Sequence, residues 1–99
     1  MPYRIEYSQR AEDHLADLGA HDSAMVFDAV PRQLMHQPTV ATRNRKVLRP
    51  NDVAPWELRL GHLRVYYDVS EGPPPLVQIV AVGIKDRGRV LIGGQEVEL

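Results

Sequence analysis

The sequence predicts an α+β fold: two N-terminal helices packed on one face of a twisted, mainly antiparallel sheet of about four strands. Three observations carry that prediction. Apolar residues recur at helical spacing only between residues 11 and 34. Beyond that region they alternate or run together, as strands require. A Gly61-His62 pair separates two alternating runs, which is the signature of a hairpin closed by a two-residue loop.

Each element has its own warrant. Tyr3, Ile5 and Tyr7 alternate with Arg4 and Glu6, which predicts a first strand with one buried face. Ser8 stands where a helix N-cap would, and Ala11, Leu15 and Leu18 follow at spacings of four and three. Gly19 occupies the place of a C-terminal cap. Asp22 or Ser23 is expected to cap a second helix carrying Met25, Val26, Ala29, Val30 and Leu34 inward. Pro31 either kinks that helix or starts a new one, and Pro38 should end it near His36. Lys46 to Arg49 reads as a short strand after a polar connector, and Pro50-Asn51-Asp52 as a turn. After the hairpin, the Glu71-Gly72-Pro73-Pro74-Pro75 segment cannot join a ladder. Leu76 to Ile84 is a long apolar run, expected to be a central strand buried on both faces. Val90-Leu91-Ile92 is a last short apolar element before Gly93-Gly94 and an acidic tail.

At 99 residues the chain makes one domain, 1–99, with room for one modest core. It has no cysteine, which excludes disulfides and thiolate metal sites and fits a reducing compartment. His14, His21, His36 and His62 show no metal-ligand spacing, so neither a metal nor a cofactor is expected. No apolar run reaches the roughly 18 residues of a membrane span, and no signal-peptide pattern opens the chain. A cytoplasmic protein without membrane contact is the expectation. Net charge is −1, but it is unevenly spread. Residues 1–42 hold three basic and six acidic side chains, whereas residues 43–95 hold nine and five. The C-terminal half can therefore carry a local footprint for an anion on a near-neutral protein.

The hairpin sharpens that footprint. A two-residue loop pairs Leu60 with Leu63, Arg59 with Arg64, Leu58 with Val65, Glu57 with Tyr66 and Trp56 with Tyr67. Trp56, Leu58, Leu60, Leu63, Val65, Tyr67 and Val69 then face the helices, and Arg59 and Arg64 lie opposite each other on the other face. At roughly 7 Å, two guanidinium groups repel by about 0.6 kcal/mol in water and about 2.4 at a surface-like dielectric. An anion relieves that repulsion, and phosphate matches the bidentate arginine fork. Lys85, Arg87 and Arg89 extend the basic face beyond the central strand, and Lys46, among Arg43, Arg45 and Arg49, can widen it. Tyr66 shares the Arg face and could stack on a nucleotide or cover the arginine stems. The same residues admit three readings: a nuclease site, a docking face for an anionic partner, or charges that neutralise one another on the surface.

The order of elements, the Trp56–Val69 hairpin and the Ala81-Val82-Gly83-Ile84-Lys85-Asp86-Arg87 segment resemble the RelE/ParE superfamily of small bacterial toxins. The opening Tyr3-Arg4-Ile5-Glu6-Tyr7-Ser8, with Ala11 and Leu15, is similar too, so the likeness spans nearly the whole chain. It implies the toxin of a two-gene toxin–antitoxin module, blocked by a cognate antitoxin. It also implies one of two targets, messenger RNA cleaved on the ribosome or DNA gyrase. In the RNA-cleaving branch, the resemblance implies catalytic roles for Arg59, Arg64 and Lys85, with Arg87 nearby; Arg89, from the same basic segment, is a further candidate to hold RNA. Two positions depart from the pattern: Glu57 stands where a lysine often occurs, and Leu91 where a C-terminal tyrosine would fall. A third possibility is an interaction module that keeps antitoxin pairing without activity.

Overall fold

Ser8 converts the first strand into the first helix, and the whole fold is built around that junction. The computed structural model describes residues 2–99. Strand β1 (Arg4–Tyr7) leads into helix α1 (Gln9–Leu18), whose first turn is capped by Ser8 Oγ accepting from Ala11 N–H at 3.0 Å. The same hydroxyl donates to Val80 O at 2.8 Å, fixing the helix start against the sheet. Gly19, at φ 90°, ends α1 and begins helix α2 (Ala20–Leu34). Neither Asp22 nor Ser23 caps α2, as the sequence had suggested. Ser23 instead donates to Leu15 O at 2.6 Å, tying the two helices together. α2 runs through Pro31 as one helix, with Met35 N–H bonding back to Pro31 O.

The sheet is larger than expected. Seven strands form it: β1, then β2 (Arg45–Val47), β3 (Trp56–Leu60), β4 (Leu63–Ser70), β5 (Leu76–Asp86), β6 (Arg89–Ile92) and β7 (Gln95–Val97). Strands β2 to β7 are neighbours in sequence order and antiparallel. The additional strands are short ones; β7 was hidden because Gln95-Glu96 reads as an acidic tail, yet Gly93-Gly94 turns the chain back on β6. Strand β5 holds the centre. β4 occupies one of its edges along nearly its whole length. The other edge is shared: β1 pairs with Leu76–Ile79 in parallel, and β6 pairs with Gly83–Asp86 antiparallel.

The hairpin register is as the loop length dictated, with Arg59 opposite Arg64 and Trp56 opposite Tyr67. Gly61 sits at φ 59°, the left-handed value that the first central position of a type II′ turn demands. A bulge between Tyr66 and Tyr67 leaves Val80 without a partner on β4. It lets Ile79 and Val82 face the helices while Val80 and Ala81 face away.

Two cores result, one on each side of the sheet. Ala11, Leu15, Val26, Val30 and Leu34 of the helices pack on Leu58, Leu63, Val65, Tyr67, Val77, Ile79 and Val82. Trp56 stacks on Tyr67 at 6.0 Å between ring centroids, and the Tyr67 hydroxyl donates to Pro38 O at 2.7 Å. On the far side, Tyr66, Ala81, Ala54 and Ile92 form a smaller cluster, covered by Leu48, Val53, Val90, Val97 and Leu99. Part of the face that the sequence left open to solvent is therefore closed. The radius of gyration is 12.6 Å, that of a compact chain of this length. Among the described residues, no helix is long and apolar enough to cross a membrane.

Candidate functional site

Strands β3, β5 and β6 and the β2–β3 connection bring four cations to one cleft on the far side of the sheet. The cleft has a volume of about 530 Å³. Arg59 reaches it from β3, Lys85 from the end of β5, Arg89 from the start of β6 and Arg49 from the connection. Glu57, Glu96 and Glu98 line it as well, so its charge is only slightly positive.

Each cation has a local reason to be there. Lys85 N–H bonds to His62 O at 2.8 Å, which locks the end of β5 to the hairpin turn. Arg49 is carried by a loop that Asn51 organises with both ends of its amide. Asn51 Oδ1 accepts from Val53 and Ala54 N–H, and Nδ2 donates to Arg49 O and Ala54 O. Arg89 follows the Arg87-Gly88 turn, in which both residues have positive φ, 52° and 81°. Its guanidinium lies 3.5 Å from Glu96.

Glu57 is the hub of the cleft floor. Its carboxylate is almost completely buried, and it accepts from Arg59 Nε at 2.8 Å on one oxygen and from Tyr66 Oη at 3.0 Å on the other. Arg59 remains half exposed above it, with 44% of its side chain open. Burial, then the Glu57 carboxylate, raises the Tyr66 phenol far above its ordinary pKa, so Tyr66 is a fixed donor. Glu57, at the position where the resemblance implies a lysine, is the group that positions Arg59.

Two site residues are placed differently from the expectation. Arg64 is only 9% exposed, and its Nη1 donates to Gly61 O at 2.6 Å and Leu63 O at 2.8 Å. Its guanidinium curls back on the turn and does not line the cleft. The repulsion across the hairpin is thereby relieved inside the protein, Arg59 by a carboxylate and Arg64 by carbonyls. Tyr66 has no exposed surface, so it offers no ring for stacking, and that reading is corrected. The cause is the second core, which the C-terminal hairpin lays over it.

The remaining basic residues fall around the cleft. Arg87 is exposed on the turn beside it and is absent from its lining. Lys46 is half-buried opposite Glu57 in the β2–β3 ladder. Arg45 is structural: Nη1 donates to Gln33 O at 2.7 Å and Nε to Val40 O at 2.9 Å. His62 is exposed at the turn, with Nε2 3.3 Å from Asp22 Oδ2. Among the described residues, no group of three or more His, Cys, Asp or Glu is placed to hold a metal ion.

Cations gathered on one cleft can hold an extended phosphate backbone, and the floor carboxylate, with a donor on each oxygen, orients Arg59 among them. No family model matches the chain, and no curated protein matches it. The likeness to RelE/ParE toxins therefore rests on the residues and the element order already given.

Proposed function

We propose that this protein is the toxin of a toxin–antitoxin module and that it cleaves messenger RNA on the ribosome. The observation that carries the reading is the convergence of Arg49, Arg59, Lys85 and Arg89, from four separate segments, on one cleft floored by Glu57. In this reading the scissile phosphate lies between Arg59 and Lys85. Both stabilise charge that builds on the phosphate oxygens, and arginine does so without changing protonation. The 2′-hydroxyl oxygen attacks phosphorus as Glu57 takes its proton. The bond from phosphorus to the 5′-oxygen breaks, and the leaving oxygen takes a proton from the Lys85 ammonium. The products are a 2′,3′-cyclic phosphate and a 5′-hydroxyl. Arg64 contributes by holding the hairpin turn that carries His62 and, through it, Lys85.

The natural partner in this reading is an acidic, partly disordered antitoxin segment that competes with RNA for the cationic cleft. The cytoplasm, where ribosomes are, is the proposed compartment. The test is incubation with programmed ribosomes. Transcripts should be cut to cyclic-phosphate ends by the wild type and stay intact with Arg59→Ala or Lys85→Ala; intact transcripts with the folded wild type would sink the reading.

A second reading is favoured by one observation. Both Glu57 oxygens already hold donors, and a base so occupied is slow to take another proton. The same surface then binds an anionic partner without chemistry, either DNA gyrase in the ParE manner or the antitoxin alone. Trapped cleaved DNA with gyrase, and no RNA products, would select the gyrase form.

A further inference from the structure

On the helix side of the same β5–β6 hairpin lies a second cleft, of about 350 Å³, that the proposed function does not use. It is a slot between helix α1 and the sheet. Leu18 forms one wall, and Val82, Ile84 and Leu91 form the other. Residues 84 and 91 face this slot while Lys85 and Val90 face the cationic cleft, so the sheet separates the two.

His14 gives the slot its chemistry. It is nine-tenths buried, on the stretch of the β5 edge between the residues paired with β1 and those paired with β6. Its Nδ1 accepts from Val82 N–H at 3.2 Å, which forces the ring proton onto Nε2. Burial, reinforced by Arg10, lowers its pKa against the opposing pull of Asp13 and Asp17, which favours the neutral ring. Among the described residues nothing accepts from Nε2–H, and Nε2 is not sealed from solvent. A Cβ at residue 93 would lie in van der Waals contact with that nitrogen, 3.5 Å away, and Gly93 keeps its approach free of a side chain. Asp17, one turn further along the same helix face, adds an exposed carboxylate to the slot.

We propose that this slot binds a flat heterocycle through a lactam edge, its carbonyl oxygen accepting from His14 Nε2–H and its ring N–H donating to Asp17. An N–H donor and a carboxylate in one slot match an acceptor and a donor on one edge of a ligand, and the apolar residues that line the rest suit a planar ring. A 6-oxopurine presents that edge, and so does a simple bicyclic lactam. The volume of about 350 Å³ accommodates either ring system.

Titration of the full chain followed by amide NMR tests the proposal, with isoquinolin-1-one and inosine as probes. Saturable shifts are expected at Val82, Gly93 and Gly94 in the low millimolar range for fragments of this size. N-methylation of the lactam nitrogen, in either probe, should weaken binding by about tenfold, as loss of one charge-assisted hydrogen bond would. Asp17→Ala, at an exposed helical position, should weaken the parent lactams by a similar factor and leave the N-methyl compounds unchanged. Gly93→Asn, which tolerates the left-handed backbone, should block both. If inosine binds at least as well as isoquinolin-1-one, the natural ligand is a nucleoside; if only isoquinolin-1-one binds, it is a smaller lactam. Absence of saturable shifts with both probes, or shifts indifferent to N-methylation and to Asp17→Ala, overturns the proposal. None of these outcomes depends on RNA cleavage.

Discussion

Arg59 and Arg64 are direct cross-strand partners, yet their guanidinium groups part: one turns to Glu57 Oε1 at 2.8 Å, the other to Gly61 O at 2.6 Å. That divergence assigns them different work. Arg59 belongs to the cationic cleft and Arg64 to the turn.

On the proposed function, Arg59→Ala should weaken single-stranded RNA binding and reduce the log–log salt slope by about 1. Arg64→Ala should leave that slope unchanged and lower stability by roughly 1–3 kcal/mol, since two carbonyls lose a charged donor. Filter binding across a salt series, paired with urea unfolding, separates the two. Equal slopes in both variants would contradict the assignment.

The acidic strand β7 works against the cations it faces. Glu96 lies 3.5 Å from Arg89, and Glu98 lines the same cleft. Glu96→Gln with Glu98→Gln should raise RNA affinity at low ionic strength, and the gain should fade near 1 M salt, where the Debye length is about 3 Å. An affinity unchanged at low salt would show that the carboxylates do not oppose binding.

Tyr66→Phe isolates the buried network. The hydroxyl donates to Glu57 at 3.0 Å with no exposed surface, so its loss leaves a carboxylate oxygen short of a donor. A loss of about 1–3 kcal/mol in unfolding free energy is expected. A thermal midpoint indistinguishable from wild type would indicate that water replaces the phenol.

Acid should loosen the α1–β5 contact. His14 ionises near its ordinary value of 6.5 when unfolded and at lower pH when folded, because burial disfavours the charged ring. Below pH 6.5 the unfolded chain takes up a proton that the folded chain refuses, so this contribution to stability is full above that pH and falls as pH drops through it. Protonated Nδ1 would also become a donor facing the Val82 N–H donor. Urea midpoints at about pH 7.5 and about pH 5.5 should differ more for the wild type than for His14→Gln. Parallel pH dependence in the two proteins would remove His14 as the cause.

The hairpin was legible in the sequence because two local rules agree there. Gly61-His62 sets the loop length, and the alternation from Trp56 to Val69 permits one register only. The Ser8 cap and the core residues Leu58, Val65 and Tyr67 were legible for the same reason. The cover on the opposite face was not. It depends on β7, whose polar Gln95 and Glu96 conceal a strand that pairs with β6. One signal was present: Gly93-Gly94 between Val90-Leu91-Ile92 and Val97 marks a tight hairpin that folds apolar residues back over Tyr66. The fate of Arg64 was beyond local reading. Charge pairing on a strand gives parity, whereas the direction of a long side chain depends on which acceptors lie within reach. The His14 slot was equally hidden, since it joins residues from α1, β5 and the turn after β6.

A ribosome making this chain delivers the first strand long before the strand that completes it. Ser8 is held by Val80 across 72 residues, and Tyr7 is matched to Ile79. Until that distant stretch leaves the exit tunnel, Ala11 and Leu15 have no sheet to lie against and stay wet. The nascent polypeptide thus remains unfinished through most of its own synthesis, and a truncated product that stops short of the fifth strand lacks the partner of both Ser8 and Tyr7.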